Sequence, residues 1–425
     1  MKRRVSTASG LALVLVLASP TLAVPGASDL SFDEDGRATV DFGTSFEGAE
    51  GVAVGADGSI LIVGGIDQGG PDESLAMARL TSSGEPDLTF SGDGQQIVES
   101  IDHGYGVALQ EDGKFIVIAP GAGFEESSGW TIARFESDGT PDPAFGGGDG
   151  IVTTDLNPDE PDAPRDVVIQ PDGKIIVVGL KGLSDGWRFA VVRYEADGDL
   201  DPEFANGGIR IVRIGLASRA TAVALQPNGK IVVVGHAQKG EESHSGVARL
   251  LPDGSLDPAF SDDGKLINSL GVAEQASDVA IHPDGGFVVV GRAAPVGGNG
   301  FDFGVARYRP SGRLDPNFSG DGLVRTDFKG EEDSARSVVI QANGKIVVGG
   351  YALANQRSNF AIARYSAAGR LNLSFGNQGR VRTNFGAGID DYAFDIAIDS
   401  VGLVAVGWGT PVFGYDAAVA RYLLR

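Results

Sequence analysis

Asp166-Val-Val-Ile-Gln-Pro-Asp-Gly-Lys-Ile-Ile-Val-Val-Gly179 sets two short Val/Ile runs on either side of a Pro-Asp-Gly turn, which reads as a tight β-hairpin. Phe189-Ala-Val-Val-Arg-Tyr194 follows as a third run, and Leu200-Asp-Pro-Glu-Phe204 leads into a fourth. This unit, about 57 residues long, recurs seven times along the 425-residue chain. Equivalent turns carry Asp57-Gly58, Asp112-Gly113, Asn228-Gly229, Asp284-Gly285 and Asn343-Gly344, where Asp or Asn tolerates left-handed backbone and Gly adopts positive φ freely. Only the seventh, Ser400-Val401-Gly402, departs from that chemistry. The runs are apolar on successive residues, so both faces of each small sheet need cover, and neighbouring blades of a propeller supply it.

The seventh unit stops at Arg421-Tyr-Leu-Leu-Arg425, before its fourth strand. The missing piece, Asp29-Leu-Ser-Phe32 followed by Gly36-Arg-Ala-Thr-Val-Asp-Phe-Gly43, stands near the start of the chain. A β-helix would show shorter coils, and an open solenoid would need polar caps at both ends. Termini that stop in mid-repeat at complementary places instead require a ring closed by strand exchange. The expected fold is all-β: a seven-bladed β-propeller of four-stranded antiparallel blades, with an N-terminal strand completing the last blade, as a single domain over residues 24–425.

One internal check supports closure. Each third strand ends in an Arg followed eight residues later by Asp: Arg79 and Asp87, Arg134 and Asp142, Arg193 and Asp201, Arg249 and Asp257, Arg307 and Asp315. The sixth unit has Arg364 and Asn372, and Arg421 finds its candidate in Asp29, three residues before Phe32 as Asp257 is before Phe260. Guanidinium matches carboxylate geometry, so these pairs read as structural clamps on the turn between the third and fourth strands. An Arg ring reading an anionic ligand is the functional alternative.

Residues 1–23 read as a secretory signal: Lys2, Arg3 and Arg4, then the apolar Leu11 to Ala18, then the small-residue site Thr21-Leu-Ala23. Arg3-Arg4 leaves a twin-arginine route open beside the general one. Secretion to the periplasm, cell surface or medium is therefore expected, without membrane insertion of the mature chain. The absence of Cys excludes disulfides, lipoprotein attachment and thiol chemistry. Gly is abundant, at 64 residues, but falls at fixed repeat positions rather than in low-complexity tracts. A net charge of −23 repels nucleic acids and anionic membranes and favours cations or basic partners.

The motifs Pro171-Asp-Gly-Lys-Ile-Ile-Val-Val-Gly179, Phe189-Ala-Val-Val-Arg-Tyr194 and Leu200-Asp-Pro-Glu-Phe204, with their counterparts over residues 27–425, resemble the delta-60 repeat β-propellers. That resemblance implies a secreted or surface propeller, mostly bacterial, and carries no activity or catalytic residues to this chain.

In such a ring the connections between strands two and three, and between blades, share one face. There they vary, as in Leu180–Gly186, His236–Ser245, Arg292–Asp302 and Trp408–Asp416, and variable loops on a rigid scaffold are where binding resides. Ten positions before the Asp or Asn of the hairpin turn, or before Val401, stand Glu47, Asp102, Asp162, Ser218, Glu274, Asp333 and Asp391. If the first strand is innermost, these acids ring a channel mouth where oxygen ligands suit Ca²⁺ or Mg²⁺. The structural reading has them accept backbone hydrogen bonds at the blade crossings or pair with Arg165, Arg219 or Arg336. Trp130, Trp187 and Trp408, with Phe124, Phe413 and Tyr415 nearby, lie in or beside the same loops, either as platforms for a glycan or protein partner or as plugs on the blades.

Gly182-Leu-Ser-Asp-Gly186 matches a hydrolase pattern but precedes a strand, not the helix that motif requires. The acidic turns Asp33-Glu-Asp-Gly36 and Ser261-Asp-Asp-Gly264 lack the alternating ligands of a calcium loop. His103, His236, His244 and His282 share no repeat position. No nucleophile, base and orienting group assemble. The expectation is a non-enzymatic binding or scaffold module for a cation, glycan or protein, with no catalytic residue. The alternative is a lactonase-type hydrolase whose metal is held by the channel-mouth carboxylates.

Overall fold

The computed structural model describes residues 24–43, 47–67, 73–121, 129–268, 275–294, 300–328, 331–386, 390–409 and 414–425. The expected signal segment, Glu274, Phe124 and Phe413 lie outside them. Every named element is a β-strand, and the strands form seven four-stranded antiparallel sheets. Six blades are built from consecutive strands; the seventh takes its outer strand, Arg37–Val40, from the start of the chain. That strand pairs antiparallel with the third strand of blade 7, Arg37 opposite Ala420 and Val40 opposite Ala417. Strand exchange thus closes the ring as the broken seventh repeat requires.

Blade 3 shows why the sequence folds this way. Its second strand, Ile175–Lys181, sends Ile175 and Val177 into the layer shared with blade 2, and Ile176 and Val178 into the layer shared with blade 4. Successive apolar residues therefore serve two interfaces, following the two-residue period of a strand. Each of the seven apolar clusters lies between two adjacent blades, and the last joins blades 7 and 1 through Val404, Val406, Val419 and Phe32 on one side and Ala49, Ile60 and Ile62 on the other. The core is a ring of inter-blade layers.

The hairpin turns behave as their sequences predict: Gly58, Gly113, Gly173, Gly229, Gly285 and Gly344 all have positive φ. In the seventh, the Asp399 carboxylate accepts the Val401 N–H at 2.6 Å and so replaces the missing Asp-Gly chemistry. Among the described residues no helix is long and apolar enough to cross a membrane.

The recurrent Arg residues do more than clamp their own turn. Arg134 and Arg193 each place Nε 2.6 Å from the carboxylates of Asp142 and Asp201, while their guanidinium carbons lie 4.7 and 4.5 Å from the rings of Phe145 and Phe204. From each, Nη1 donates to a backbone carbonyl of the following blade: Arg193 to Pro252, Arg307 to Ala367, Arg364 to Leu424. Arg421 completes the circle by donating to Ser82 in blade 1. A buried guanidinium so satisfied is a cross-blade staple.

Candidate functional site

Geometry of the channel begins with the first strands: Glu47–Val54, Gly106–Leu109, Asp162–Ile169, Ser218–Leu225, Gln275–Ile281, Asp333–Ile340 and Tyr392–Ile398. In six of them the pairing with the second strand slips by one residue, as between Pro164 and Asp166 or between Ala335 and Ser337. A β-bulge re-aims the extra side chain. The bulged residues Glu50, Arg165, Thr221, Ser277, Arg336 and Phe394, with Tyr105 at the matching place in blade 2, all line one cavity of about 450 Å³ on the ring axis.

Arg219, His236, Gln275 and Arg292 complete the charged and polar wall. Four guanidinium groups and one carboxylate, Glu50, thus line the cavity, and the guanidinium of Arg292 is also ion-paired with Glu332, in a chain whose net charge is −23. Arg165 stacks 4.7 Å from the Tyr105 ring, and Arg336 lies 5.4 Å from Tyr351 and 5.8 Å from Phe394. The Nε atoms of Arg292 and Arg336 are buried without a hydrogen-bond partner. Burial, reinforced by Arg219, Arg336, Arg165 and Arg292, holds the His236 imidazole down at about 4, so it is neutral at physiological pH.

Behind Glu50, His103 Nδ1 sits 2.6 Å from Glu73 and Nε2 sits 3.8 Å from Glu50. Burial pulls the His103 pKa down, but its bond to Glu73 and the charge of Glu50 outweigh that and raise it. A groove of about 300 Å³ shares Arg219, His236 and Gln275 with the channel cavity and extends to Trp187 on the loop face. Cavity and groove adjoin at these three residues.

The recurring acids are placed elsewhere. Glu47, Asp162, Asp333 and Asp391 are buried at the blade crossings, and none lines the channel cavity. One oxygen of each accepts the N–H of a residue in the incoming chain: Phe42 to Glu47 at 2.6 Å, Leu156 to Asp162 at 2.7 Å, Phe328 to Asp333 at 2.6 Å and Phe385 to Asp391 at 3.0 Å. Ser218 does the same job in blade 4, where its Oγ is 3.4 Å from the Ile214 N. Asp102 is half-buried and accepts the His103 N–H at 2.7 Å. The expected ring of acids around a channel mouth is thereby corrected: the bulge turns them into the crossings and turns Arg165 and Arg336 to the axis.

The tryptophans divide. Trp130 is fully buried among the apolar residues between blades 2 and 3, so it presents nothing to a ligand, correcting its reading as a platform. Trp408 is half-buried against Phe394 and Tyr415, with ring centroids 5.1 and 5.8 Å away, and lies over Gly48, where a Cβ would come within 1.8 Å of its Nε1. Trp187 lines the groove.

A sequence family described as "Domain of unknown function (DUF5122) beta-propeller" matches residues 55–90, 110–145, 170–204, 226–260, 282–318 and 341–375, together just over half the chain. The chain belongs to this family. Each matched DUF5122 segment runs from near a hairpin turn to the Phe that ends the Leu-Asp-Pro-x-Phe motif or its variant, and the seventh unit, split between the termini, presents no such continuous segment. No curated protein matches the chain. Among solved structures it is similar to Drosophila semaphorin 2a, with a TM-score of 0.51 at 7% identity over 91% of this chain and 75% of that one. Polysaccharide lyase Uly1 aligns with a TM-score of 0.50 at 11% identity over 95% and 98%. Virginiamycin B lyase from Staphylococcus aureus gives 0.47 at 12% identity over 90% and 98%. Likeness at such identities is a statement about fold.

Proposed function

We propose that this DUF5122 protein is an exported, non-catalytic propeller that binds an anionic saccharide in the channel cavity and the adjoining groove. The observation that carries the reading is the convergence of Arg165, Arg219, Arg292 and Arg336 on one cavity of about 450 Å³, with two of their Nε atoms unpartnered. Guanidinium groups recognise carboxylate and sulfate by paired hydrogen bonds, and Tyr105, Phe394 and Trp187 offer apolar faces of the kind sugar rings stack upon. The charged, apolar and small-residue steps of residues 1–23 support export, as does the likeness of the repeat motifs to delta-60 propellers. The hydrolase alternative needs metal ligands in the channel, and among the described residues the cavity wall offers Glu50 as its carboxylate.

The test is calorimetric titration of the mature chain with a short oligogalacturonide and with a neutral oligosaccharide of equal length. The oligogalacturonide is expected to bind, more weakly as salt rises, and to lose at least about tenfold in affinity in the Arg292→Ala, Arg336→Ala double variant, about 1.4 kcal/mol. Equal binding of both sugars, or none of either, overturns the reading.

A further inference from the structure

Three positions meet at a blade crossing: the residue five before the third-strand Arg, the residue after the fourth strand, and the acid position that opens the next blade. Between blades 5 and 6 these are Asp302, Asp327 and Asp333; between blades 7 and 1 they are Asp416, Asp41 and Glu47. In each set the three residues bring carboxylate oxygens within 4.8 Å of one another. Each set also grades from a buried acid, Asp333 or Glu47, through a half-buried one to an exposed one, so an ion reaches it from solvent.

Two other crossings show this place satisfied by the chain's own side chains. Between blades 3 and 4 the same positions hold Arg188, Arg213 and Ser218, and Asp185 bridges the two guanidinium groups at 2.7 and 3.6 Å. Between blades 6 and 7 Asn359 and Asn384 occupy the first two positions and bond to each other at 3.1 Å. At the all-acid crossing between blades 5 and 6, Arg382 is near, but its Nη2 donates to the carbonyls of Phe328 and Leu353.

A second observation points to a missing ligand there. Asp333 is fully buried; its Oδ2 accepts the Phe328 N–H, while its Oδ1 is buried with no hydrogen-bond partner. A desolvated carboxylate oxygen left unpaired is costly unless a cation or proton meets it. Oxygen-only ligands select a hard cation, and three protein carboxylates suit Ca²⁺, which takes many oxygens in flexible geometry, better than Mg²⁺, which keeps several waters and binds one or two carboxylates.

We propose that the all-acid crossing between blades 5 and 6 is a Ca²⁺ site formed by Asp302, Asp327 and Asp333. Asp302 opens the third strand of blade 5, Asp327 follows its fourth strand and Asp333 opens blade 6, so an ion held there ties the two blades together. This site is independent of the saccharide cleft.

The experiment is titration of Ca²⁺ into the chelator-stripped mature chain by calorimetry, with melting temperature followed at matched NaCl ionic strength. One ion per chain is expected at this crossing, with a rise in melting temperature that NaCl does not reproduce, because the ion binds the folded state. Asp302→Asn with Asp327→Asn should abolish that binding, and Asp391→Asn, at a crossing without the cluster, should leave it. Absence of saturable heat in the parent overturns the proposal before any variant is made, and so does an unchanged isotherm in the folded double variant. Where the double variant fails to fold, Asp302→Asn alone takes its place, and an unchanged isotherm again overturns the proposal.

Discussion

Arg421 and Asp29 stand 392 residues apart in sequence, yet Arg421 Nε donates to Asp29 Oδ2 at 2.8 Å, and both are buried. The same guanidinium lies 4.8 Å from the Phe32 ring and reaches the Ser82 carbonyl in blade 1. One side chain therefore binds the N-terminal segment, the last strand and the first blade. Burial alone would raise the Asp29 pKa, but its bonds to Ser31 and the charge of Arg421 lower it. Removing Asp29 takes away the nearer counter-charge of a buried guanidinium and leaves it Asp399, at 3.6 Å.

Asp29→Ala is accordingly expected to cost about 3 kcal/mol and to expose the closing seam to protease. Deleting residues 24–43 removes the whole outer strand of blade 7 and leaves the edge Asp416–Leu423 unpaired. The truncated chain should aggregate or lose cooperative unfolding in chemical denaturation. A cooperative transition at the parent midpoint would show that the ring does not depend on this strand.

Blade 6 offers the reverse experiment. Arg364 is buried, and its Nε has no partner. Asn372, which replaces the usual Asp, spends its Oδ1 on the Ser374 N–H and hydroxyl at 3.2 and 2.6 Å, so its amide nitrogen is what remains for the arginine. In blade 3 the corresponding Asp201 gives one oxygen to a backbone N–H and the other to the arginine Nε, and by that analogy Asn372 offers a donor where an acceptor is needed. Asn372→Asp exchanges that donor for an acceptor and should stabilise the protein by about 1.5 to 3 kcal/mol, the range for a hydrogen bond to a charged group. Thermal denaturation at pH 7 checks the sign: no gain would mean that blade 6 accommodates the arginine by other means.

Blade 3 gives the loss that corresponds to this gain. Burial pushes the Asp201 pKa up, but Lys174, the Glu203 N–H and Arg193 outweigh it and hold it at about 2. Arg193→Ala should cost about 2 to 3 kcal/mol, less than a pair with no other partner, because Lys174 Nζ remains 2.8 Å from Asp201. The Asp201 carboxylate is depressed, so its contribution is full above pH about 4 and disappears as pH falls toward 2. Parent and variant should therefore converge in denaturation experiments at acid pH.

How the sequence encodes these features differs between fold and site. Asp-Gly turns, doubled apolar runs and a repeat broken across the termini announce the ring, because each is a local requirement of backbone or burial that one sequence can display. Arg193, Asp201 and their counterparts were legible for the same reason. The channel was not. In a regular strand, residues three apart point to opposite faces, and nothing in Asp162-Ala-Pro-Arg-Asp166 announces the slip at Arg165 that decides which residue meets the axis. Sequence spacing found the recurring acids but set them at the channel mouth; Arg219 and Arg336 were read as their partners and are cavity walls. Arg292, on a second strand, carried no repeat signal at all. The companions of Asp333 at its crossing, Asp302 and Asp327, come from the third strand of the preceding blade and from the residue after its fourth, and meet only in three dimensions.

The first strands make a last prediction, opposite in sign to that for Asp201. Asp166, Asp278 and Asp395 follow the bulges of blades 3, 5 and 7, and each reaches the next blade: to the N–H of Val223 at 2.7 Å, of Val338 at 2.7 Å and of Val52 at 3.0 Å. Ser337 Oγ lies 3.1 and 2.8 Å from Asp278 and Asp395; its single proton serves one of them, and the other bond needs a protonated carboxyl. Burial, helped by the charge of Asp395, pushes Asp278 up to about 7, and burial also raises Asp166 and Asp395. Carboxyls with raised folded-state pKa values favour folding most below pH about 4, and that contribution is lost as pH rises through about 7. In the presence of a chelator, stability should therefore fall between pH 5 and pH 8, while the arginine-paired acids stay ionised and silent over that range. Asp278→Asn, which keeps the shape and cannot ionise, should flatten part of that slope in thermal melts. A parent profile that is level from pH 5 to pH 8, or a variant with the parent's slope, would show that these carboxyls ionise without cost.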